Sequence, residues 1–490
     1  MQINNLEPAN NIRTSTLGFT DDQRKAYDEL IAFINAPYSD NDYKRALIGA
    51  AGTGKTYLIK ALITNCNMNY SMIGLAAPTH KACRVLQSSI GLNKQVNTIA
   101  SDMGYALNLD LDNIDINNPA FAPKRPNKIT NYRLYIIDEA SMLPHNLINH
   151  KTKGLEAKCK EYKCKIIYVG DGSQLAPVKE RVSSAFSGIR KVELNQIVRQ
   201  EDDNPIRDLL ELLRGDIKNR TTNFISYIGR NKERFDNGNI KGFRVCSNAE
   251  FINLIDVNFS DEQITNNVDF VKIVAYTNHA VNDWNRYVRT KNVADVDKGI
   301  INRNDLIMSY QSLVDKFSSF IIKNSEEYII NDIVNYVHPK YNIKGFLVKF
   351  QAIHGGQISS PVFIVDHTNR KSIVMFYEIA NSLINKAKQA RASFRTAYWK
   401  DYYSFKEGCL LLTDINDKFG KTIFRRDLDY GFALTAHKSQ GSTFDTVFVD
   451  VNDIIYDRFG HPYPDINETN RRLYVACSRA KNKLYLRFGV

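Results

Sequence analysis

The chain lacks several features that would place it in common protein classes. No apolar run in its 490 residues is long enough to cross a bilayer, and its first segment, MQINNLEPANNIRTS, is not a signal peptide. Its seven cysteines are scattered and odd in number, and no two pairs have zinc-site spacing. There is no internal repeat or low-complexity tract. We therefore expect a cytoplasmic protein with free thiols and no membrane partner.

The composition favours an anionic partner without identifying it. Lysine and arginine total 65 against 53 acidic residues, a net charge of +12. Such a balance suits nucleic acid, although a solvated basic surface explains it equally well. The 26 tyrosines and 25 phenylalanines could stack on bases, but most are expected in cores. The length indicates two or three domains.

One stretch has the features of a phosphate-binding loop. The apolar residues Ala46, Leu47 and Ile48 lead into GAAGTGKT at residues 49–56, and a helical pattern follows. The glycines let backbone N–H groups turn toward a phosphate at the positive end of that helix. The loop lysine can reach the β- and γ-phosphates, and the last threonine can hold Mg²⁺. A chance glycine turn is less probable in this context. The predicted ATP site consists of Gly49, Gly52, Thr53, Gly54, Lys55 and Thr56.

Polar residues follow two further predicted strands. Asp138 and Glu139 come after the strand at 134–137, and Gln174 comes after the strand at 166–169. Asp138 would hold Mg²⁺ with Thr56, and Glu139 would orient or deprotonate the attacking water. Gln174 would lie near the γ-phosphate, with an ordinary loop glutamine as the alternative.

Charge stabilisation at the transferred phosphate needs a cation beyond the loop lysine. The candidates are Arg199, in LNQIVRQ, and Arg479, in LYVACSRA. Each could instead be a surface arginine.

Strands alternating with helices predict an α/β protein with two parallel-sheet lobes. The expected first lobe covers residues 1–200, with an inserted hairpin at 102–128. The second lobe covers 201–309 plus 430–490, and a β-rich insertion at 310–429 interrupts it. The insertion also carries a basic helix, predicted at 384–403, which either guides DNA or is a solvated face over a buried Trp399.

Seven motifs in order resemble those of superfamily 1 helicases: GAAGTGKT, APTHKA, IIDEAS, VGDGSQLAPV, LNQIVRQ, TAHKSQGSTFDTV and LYVACSRA. The closest similarity is to the RecD-like and phage Dda-like branch. The resemblance implies two RecA-like lobes that hold ATP between them and bind single-stranded DNA, with a small β-barrel in the insertion of the second lobe. It makes Arg199 and Arg479 arginine fingers and Gln23 an adenine contact, although alone Gln23 would be interpreted as an exposed helix residue. Gln440 and Gly441 would sense the nucleotide.

The resemblance also implies a set of DNA contacts, made mostly by hydroxyls, amides and lysines that suit the sugar–phosphate backbone. They are Pro78, Thr79, His80, Lys81, Thr98, Ser101, Thr277, Asn278, Thr435, His437, Lys438 and Ser439. His80 and His437 would otherwise be interpreted as core histidines. The chain departs from the family at Ala100, where a histidine is frequent.

The resemblance places a strand-separating hairpin at 102–128, with Phe121 about where its aromatic tip would be. A ring stacked on the junction base would offset part of the cost of unstacking a pair. The alternative is that Phe121 packs the hairpin onto its own lobe.

The predicted function is that of a DNA-stimulated ATPase and helicase moving 5′ to 3′ on single-stranded and forked DNA. It would act as a monomer in phage-type replication, recombination or repair, in the host cytoplasm if the chain is of phage origin, with replication or recombination proteins as further partners. Two alternatives stay open: a UvrD-like 3′ to 5′ helicase, and an ATP-driven remodeller that displaces proteins without processive unwinding.

Overall fold

The structure is a computed structural model that describes most of the chain and divides it into two units. The described residues are 14–16, 18–107, 121–151, 153–177, 180, 183–196, 204–236, 238–260, 267–292, 299–314, 320–353 and 356–489. At 106–107, 121–123, 292 and 320 only the backbone is described. The first unit comprises residues 1–78, 82–104 and 125–202, and the second comprises 79–81, 105–124 and 203–490.

The first unit is built on a six-stranded parallel sheet. The strands before residue 200 are β1 Lys44–Gly49, β2 Ile73–Ala77, β3 Asn97–Thr98, β4 Tyr105–Leu107, β5 Phe121–Pro123, β6 Leu134–Ile137, β7 Lys165–Gly170 and β8 Lys191–Leu194. The sheet order is β3-β2-β6-β7-β1-β8, and every neighbouring pair is parallel. Strands β2, β6 and β7 are buried along their whole length, as expected where helices cover both faces of a parallel sheet.

Helices flank this sheet and close its core. They are α1 Asp21–Asn35, α2 Lys55–Asn65, α3 His80–Ile90, α4 Ile99–Asp102, α5 His145–Asn149 and α6 Leu155–Glu161. Short 3₁₀ turns lie at Tyr70–Met72, Lys128–Asn131, Ala140–Met142 and Ser184–Phe186. Helix α1 begins with a capping box in which Thr20 and Gln23 bond each other's backbone N–H groups. Leu30 of α1 and Leu58 of α2 pack with strand residues in one hydrophobic cluster.

The predicted hairpin is present in part. Strands β4 and β5 pair antiparallel, with Tyr105 opposite Pro123 and Leu107 opposite Phe121. Gly104 precedes the hairpin with φ +67°, and a Cβ there would lie 2.1 Å from the carbonyl oxygen of Arg125. Glycine is therefore required at the residue just before this hairpin.

The second unit contains another six-stranded sheet. The strands after residue 200 are β9 Glu233–Phe235, β10 Gly242–Cys246, β11 Val271–Ala275, β12 Leu306–Ser309, β13 Leu313–Val314, β14 Phe320–Ile322, β15 Glu327–Val337, β16 Lys344–Ala352, β17 Val362–Val365, β18 Ile415–Asn416, β19 Thr422–Phe424, β20 Leu428–Tyr430, β21 Ala433–Thr435, β22 Phe444–Asp450 and β23 Ala480–Arg487. The order is β21-β11-β22-β23-β10-β9, parallel except for the antiparallel edge strand β9.

The β-rich segment forms an antiparallel sheet in the order β17-β16-β15-β12-β20. Two-stranded ribbons, β13–β14 and β18–β19, accompany it. Strands β12 and β20 lie at the two edges of the predicted 310–429 insertion, so the chain enters and leaves this sheet through neighbouring strands.

The helices of the second unit are α7 Ile206–Asn219, α8 Asn223–Arg230, α9 Asn248–Phe259, α10 Asn278–Asn292, α11 Arg370–Gln389, α12 Ala392–Gly408, α13 Ala436–Ser439, α14 Val451–Ile455 and α15 Ile466–Cys477. The prediction of a single basic helix at 384–403 is wrong. The segment is divided between α11 and α12, because Ala390 and Arg391 adopt extended backbone angles. Trp399 of α12 is fully buried in a core cluster.

The fold prediction of two parallel-sheet α/β lobes, a hairpin and a β-rich insertion is confirmed by this topology, whereas the small barrel within that insertion stays a prediction. The three domain boundaries stay a prediction. Among the helices that the structure describes, none is long and apolar enough to cross a membrane.

Candidate nucleotide and nucleic-acid sites

The predicted phosphate loop connects β1 to α2. Gly52 and Gly54 have φ of +84° and +80°, in the left-handed region, so the loop can wrap its N–H groups around an anion. A Cβ on Gly49 would lie 2.6 Å from the Thr53 hydroxyl, and that hydroxyl bonds the Ala50 carbonyl at 3.0 Å. The loop is held closely by its own side chains.

The loop lysine is bonded to the loop itself. Lys55 Nζ donates to the carbonyl oxygens of Gly49 and Ala50 at 2.8 and 2.9 Å. Thr56 follows it in the first turn of α2 and is half-buried. An ammonium held over the loop is positioned for a phosphate that would replace these two carbonyls.

Gln23 is not the exposed helix residue that its local sequence suggests. It is 1% exposed, and its Nε2 donates to the Thr53 carbonyl at 2.9 Å. Its Oε1 accepts the Thr20 N–H of the capping box at 3.2 Å. The side chain therefore fixes the start of α1 to the phosphate loop. Its assignment as an adenine contact stays a prediction.

The acidic pair and Gln174 lie at the carboxyl ends of neighbouring strands. Asp138 and Glu139 follow β6, Gln174 follows β7, and β7 lies beside β1 and its phosphate loop. Burial raises the pKa of Asp138, while the charge of Lys55 opposes that rise. Glu139 has φ +50° and so stands on a tight left-handed turn. Gln174 is buried, and its backbone N–H donates to the Asp171 carbonyl at 3.2 Å.

Thr56 and Asp138 are the residues that fit a Mg²⁺ ion. A hydroxyl and a carboxylate are hard oxygen ligands, and Mg²⁺ usually takes few protein ligands beside phosphate and water. A cation would also favour the charged form of the buried Asp138, whose pKa burial raises. In the described part of the chain no cluster of three or more His, Cys, Asp or Glu could hold a metal alone.

Only one of the two proposed arginine fingers lies among the described residues. Arg199 lies outside the described residues. Arg479 is buried in the second unit, where Nε donates to the Val475 carbonyl and Nη1 to the Ser442 carbonyl, both at 3.0 Å. These bonds hold its guanidinium against the loop that contains Gln440 and Gly441, the latter with φ +73°. The three residues named by the family motifs are thus brought together.

The segment before that loop forms the short helix α13. Thr435 caps it through a 3.2 Å bond from the Lys438 N–H, and Ser439 is buried with its hydroxyl on the Ala436 carbonyl. Lys438 lies 4.2 Å from the ring centre of Tyr310, and burial lowers its pKa to about 8. Burial also lowers the pKa of His437.

Thr277 and Asn278 follow β11 at the start of α10. The Thr277 hydroxyl donates to the Asp453 carboxylate at 2.6 Å, and the N–H groups of Tyr276 and Thr277 donate to the same group. The carboxylate fixes this strand end, while Asn278 is exposed. Sequence reasoning did not find Asp453, because it lies 176 residues along the chain from Thr277.

The predicted DNA residues of the first half follow β2 and β3. Pro78, Thr79 and His80 are half-buried, and burial lowers the pKa of His80. Thr98 caps α4 by accepting the Ser101 N–H at 3.2 Å.

Two further predicted contacts of that half are Lys81 and Phe121. Lys81, grouped with the second unit, is buried and bonds Glu327 at 3.3 Å. The side chain of Phe121 lies outside the described residues, so its role stays a prediction.

Arg472 was missed by the sequence analysis. Its guanidinium carbon lies 3.6 Å from the ring centre of Tyr276, and its charge adds to burial in lowering the His437 pKa. The residue stands in the segment just before LYVACSRA, and no pattern in that segment marks its position.

Comparison with known families supports the motif analysis. Residues 19–231 match the model of an AAA domain, and residues 430–487 match that of a UvrD-like helicase C-terminal domain. An uncharacterized protein of Acanthamoeba polyphaga mimivirus is 24% identical over 95% of this chain and 99% of its own length. An uncharacterized protein of Methanocaldococcus jannaschii is 22% identical over 90% of this chain, which spans 36% of that protein.

Two solved structures are also similar to the chain. The Pif1 helicase of Candida albicans has 17% identity and a TM-score of 0.48, covering 97% of this chain and 95% of that one. The Bacteroides Pif1 bound to single-stranded DNA has 16% identity and a TM-score of 0.47, covering 95% and 91%.

The helicase C-terminal model and the phosphate loop together confirm the prediction made from the seven motifs. The chain is a superfamily 1 helicase, an enzyme that hydrolyses ATP to act on DNA.

Proposed function

We propose that this helicase belongs to the RecD-like branch and moves 5′ to 3′ along single-stranded DNA, unwinding the duplex ahead of it. The main support is the set of motifs GDGSQLAPV and TAHKSQG, which resemble that branch most closely. The free cysteines of the described chain agree with the expected cytoplasmic location. Replication, recombination or repair is the proposed setting.

Lys55, Thr56 and the phosphate loop would bind the triphosphate, and Mg²⁺ on Thr56 and Asp138 would neutralise developing charge. Glu139 would activate water, and Gln174 would position it. Arg479 would have to exchange its bonds to the Val475 and Ser442 carbonyls for a phosphate oxygen.

The polarity test is unwinding of duplexes that carry a single-stranded tail at only one end. We expect unwinding from a 5′ tail and none from a 3′ tail. Unwinding from the 3′ tail alone would support the UvrD-like alternative. DNA-stimulated ATPase activity with displacement of a bound protein, but without unwinding of either substrate, would support the remodeller.

The ATPase test compares Lys55→Ala and Arg479→Ala with the wild type. Single-stranded DNA should raise wild-type hydrolysis at least tenfold, within the range an arginine finger supplies. Both variants should lose most of that rise, whereas Lys60→Ala, on the same helix as Lys55, should keep it. Undiminished stimulated turnover in Arg479→Ala would contradict its assignment.

A further inference from the structure

Two turns in the second unit have the same sequence pattern and the same geometry. Residues 417–421 read DKFGK and residues 457–461 read DRFGH, each an aspartate, a basic residue, phenylalanine, glycine and a basic or imidazole residue. The first joins β18 to β19, and the second follows α14. We call them the two aromatic turns.

In the first turn the aspartate organises the backbone. Asp417 Oδ1 accepts the N–H groups of Phe419 and Lys421, both at 2.9 Å. The Asp417 N–H donates to the Lys421 carbonyl at 2.9 Å, and the Gly420 N–H donates to the Asp417 carbonyl at 3.0 Å. Gly420 has φ +79°, which explains why glycine stands there.

The second turn repeats these bonds position by position. Asp457 Oδ1 accepts the N–H groups of Phe459 and His461 at 2.9 Å each. The Asp457 N–H donates to the His461 carbonyl at 2.8 Å, and the Gly460 N–H donates to the Asp457 carbonyl at 3.0 Å. Gly460 has φ +83°. The aspartate and the glycine therefore have structural reasons at both sites.

The phenylalanine has no such reason, because only its backbone N–H takes part in the turn. Phe419 is 83% exposed and Phe459 is 67% exposed. Leaving such a ring in water forgoes roughly 2–3 kcal/mol that burial would supply. Two rigid turns that each expose a phenylalanine ring in the same way indicate a binding role.

A cation lies over each ring. Lys418 Nζ is 5.0 Å from the centre of the Phe419 ring, and the Arg458 guanidinium carbon is 4.6 Å from that of Phe459. An exposed ring beside a cation suits a base and its phosphate, since the ring stacks and the cation attracts the backbone. The chain's net charge of +12 favours the same partner.

We propose that the two aromatic turns are base-stacking contacts for single-stranded nucleic acid, additional to the contacts that the helicase motifs imply. This inference rests on the proposed function, in that the strand must be bound by the second unit. Phe419 and Phe459 would each stack on one base, and Lys418 and Arg458 would contact the adjoining phosphates.

The test measures binding of a labelled oligothymidylate and of an abasic oligonucleotide of the same length by fluorescence anisotropy. Phe419→Ala and Phe459→Ala should each weaken binding to oligothymidylate by about 5-fold to about 100-fold, the range expected for one stacked base. Binding to the abasic strand should not change. Phe419→Trp and Phe459→Trp should bind oligothymidylate as tightly as the wild type. The unfolding temperature of every variant should stay at the wild-type value, because both rings are exposed.

Val257→Ala is the matched control, since Val257 is 68% exposed on α9 outside either turn. Wild-type affinity of both phenylalanine variants for oligothymidylate would overturn the inference, as would an equal loss on the abasic strand. Loss of self-association with unchanged DNA affinity would identify a protein partner and overturn it too. If both phenylalanine variants bind oligothymidylate like the wild type but single-stranded DNA still stimulates wild-type ATPase activity, only this inference fails and the proposed function stands. If that stimulation is absent, the inference and the proposed function both fail.

Discussion

Glu327 is expected to be one of the most sensitive core positions in the second unit. It is 7% exposed at the start of β15, and its carboxylate lies 2.7 Å from Lys272 Nζ and 3.3 Å from Lys81 Nζ. Lys272 is completely buried and also donates to the Gly431 carbonyl at 2.7 Å. Burial alone would raise the pKa of Glu327, but the two lysines outweigh it and lower the pKa to about 2.

The change Glu327→Gln keeps the shape of the side chain and removes the charge that two buried cations share. At an effective dielectric constant of about 20, charges 2.7 Å apart attract by about 6 kcal/mol. Part of this offsets the cost of burying the ions, so the expected loss on breaking the pair is about 3–5 kcal/mol. Lys272→Met should cost less, because Lys81 still balances the carboxylate.

The assay is urea unfolding followed by circular dichroism, with Glu211→Gln as control. Glu211 carries a surface pair with Arg207 and should change the unfolding free energy by less than about 0.5 kcal/mol. Because the folded pKa of Glu327 lies below its ordinary 4.5, its contribution is present above pH 4.5 and disappears as the pH falls toward about 2. The difference in unfolding free energy between wild type and Glu327→Gln should therefore decrease as the pH falls from 4.5 toward about 2. A loss below about 1 kcal/mol at neutral pH would refute the reasoning.

Three further predictions concern the functional residues. Gln23→Ala should weaken ATP binding about tenfold, measured by calorimetry, because it releases the Thr53 carbonyl; unchanged affinity would contradict this. Affinity for single-stranded DNA should fall as pH rises through about 8, where Lys438 loses its charge; Lys438→Arg should remove that dependence, and an equally pH-dependent arginine variant would exclude the lysine as its source. Phe121→Ala should cut unwinding severely while leaving stimulated ATPase activity and strand binding intact; joint loss of unwinding, ATPase activity and thermal stability would make it a packing residue.

The parts of the site that the sequence predicted are those set by local chain geometry. The phosphate loop follows β1 and Asp138 follows β6, since each is a polar turn directly after an apolar run. Adjacent positions for Asp138 and Gln174 follow from the neighbouring strands β6 and β7. In a parallel sheet the carboxyl ends of such strands share one edge.

Contacts between distant parts of the chain could not be predicted in this way. Lys272 and Glu327 lie on strands of different sheets, and no pattern near either residue names the other. The break between α11 and α12 was also missed, since Ala390 and Arg391 carry no glycine or proline signal. Strand β2 begins only at Ile73, because the Asn69 side chain caps a 3₁₀ turn over the three residues before it.

Three side-chain donors expected to bind nucleotide already donate to backbone carbonyls of their own unit. Lys55 donates to the carbonyls of Gly49 and Ala50. Gln23 donates to the Thr53 carbonyl, and Arg479 donates to the carbonyls of Val475 and Ser442. A phosphate oxygen is charged, so it forms a stronger bond with an ammonium or guanidinium than a neutral carbonyl does. Nucleotide binding would then exchange existing bonds rather than create them in an empty site. The carbonyls released by Lys55 must find other donors, so the loop that carries them would have to rearrange when ATP binds.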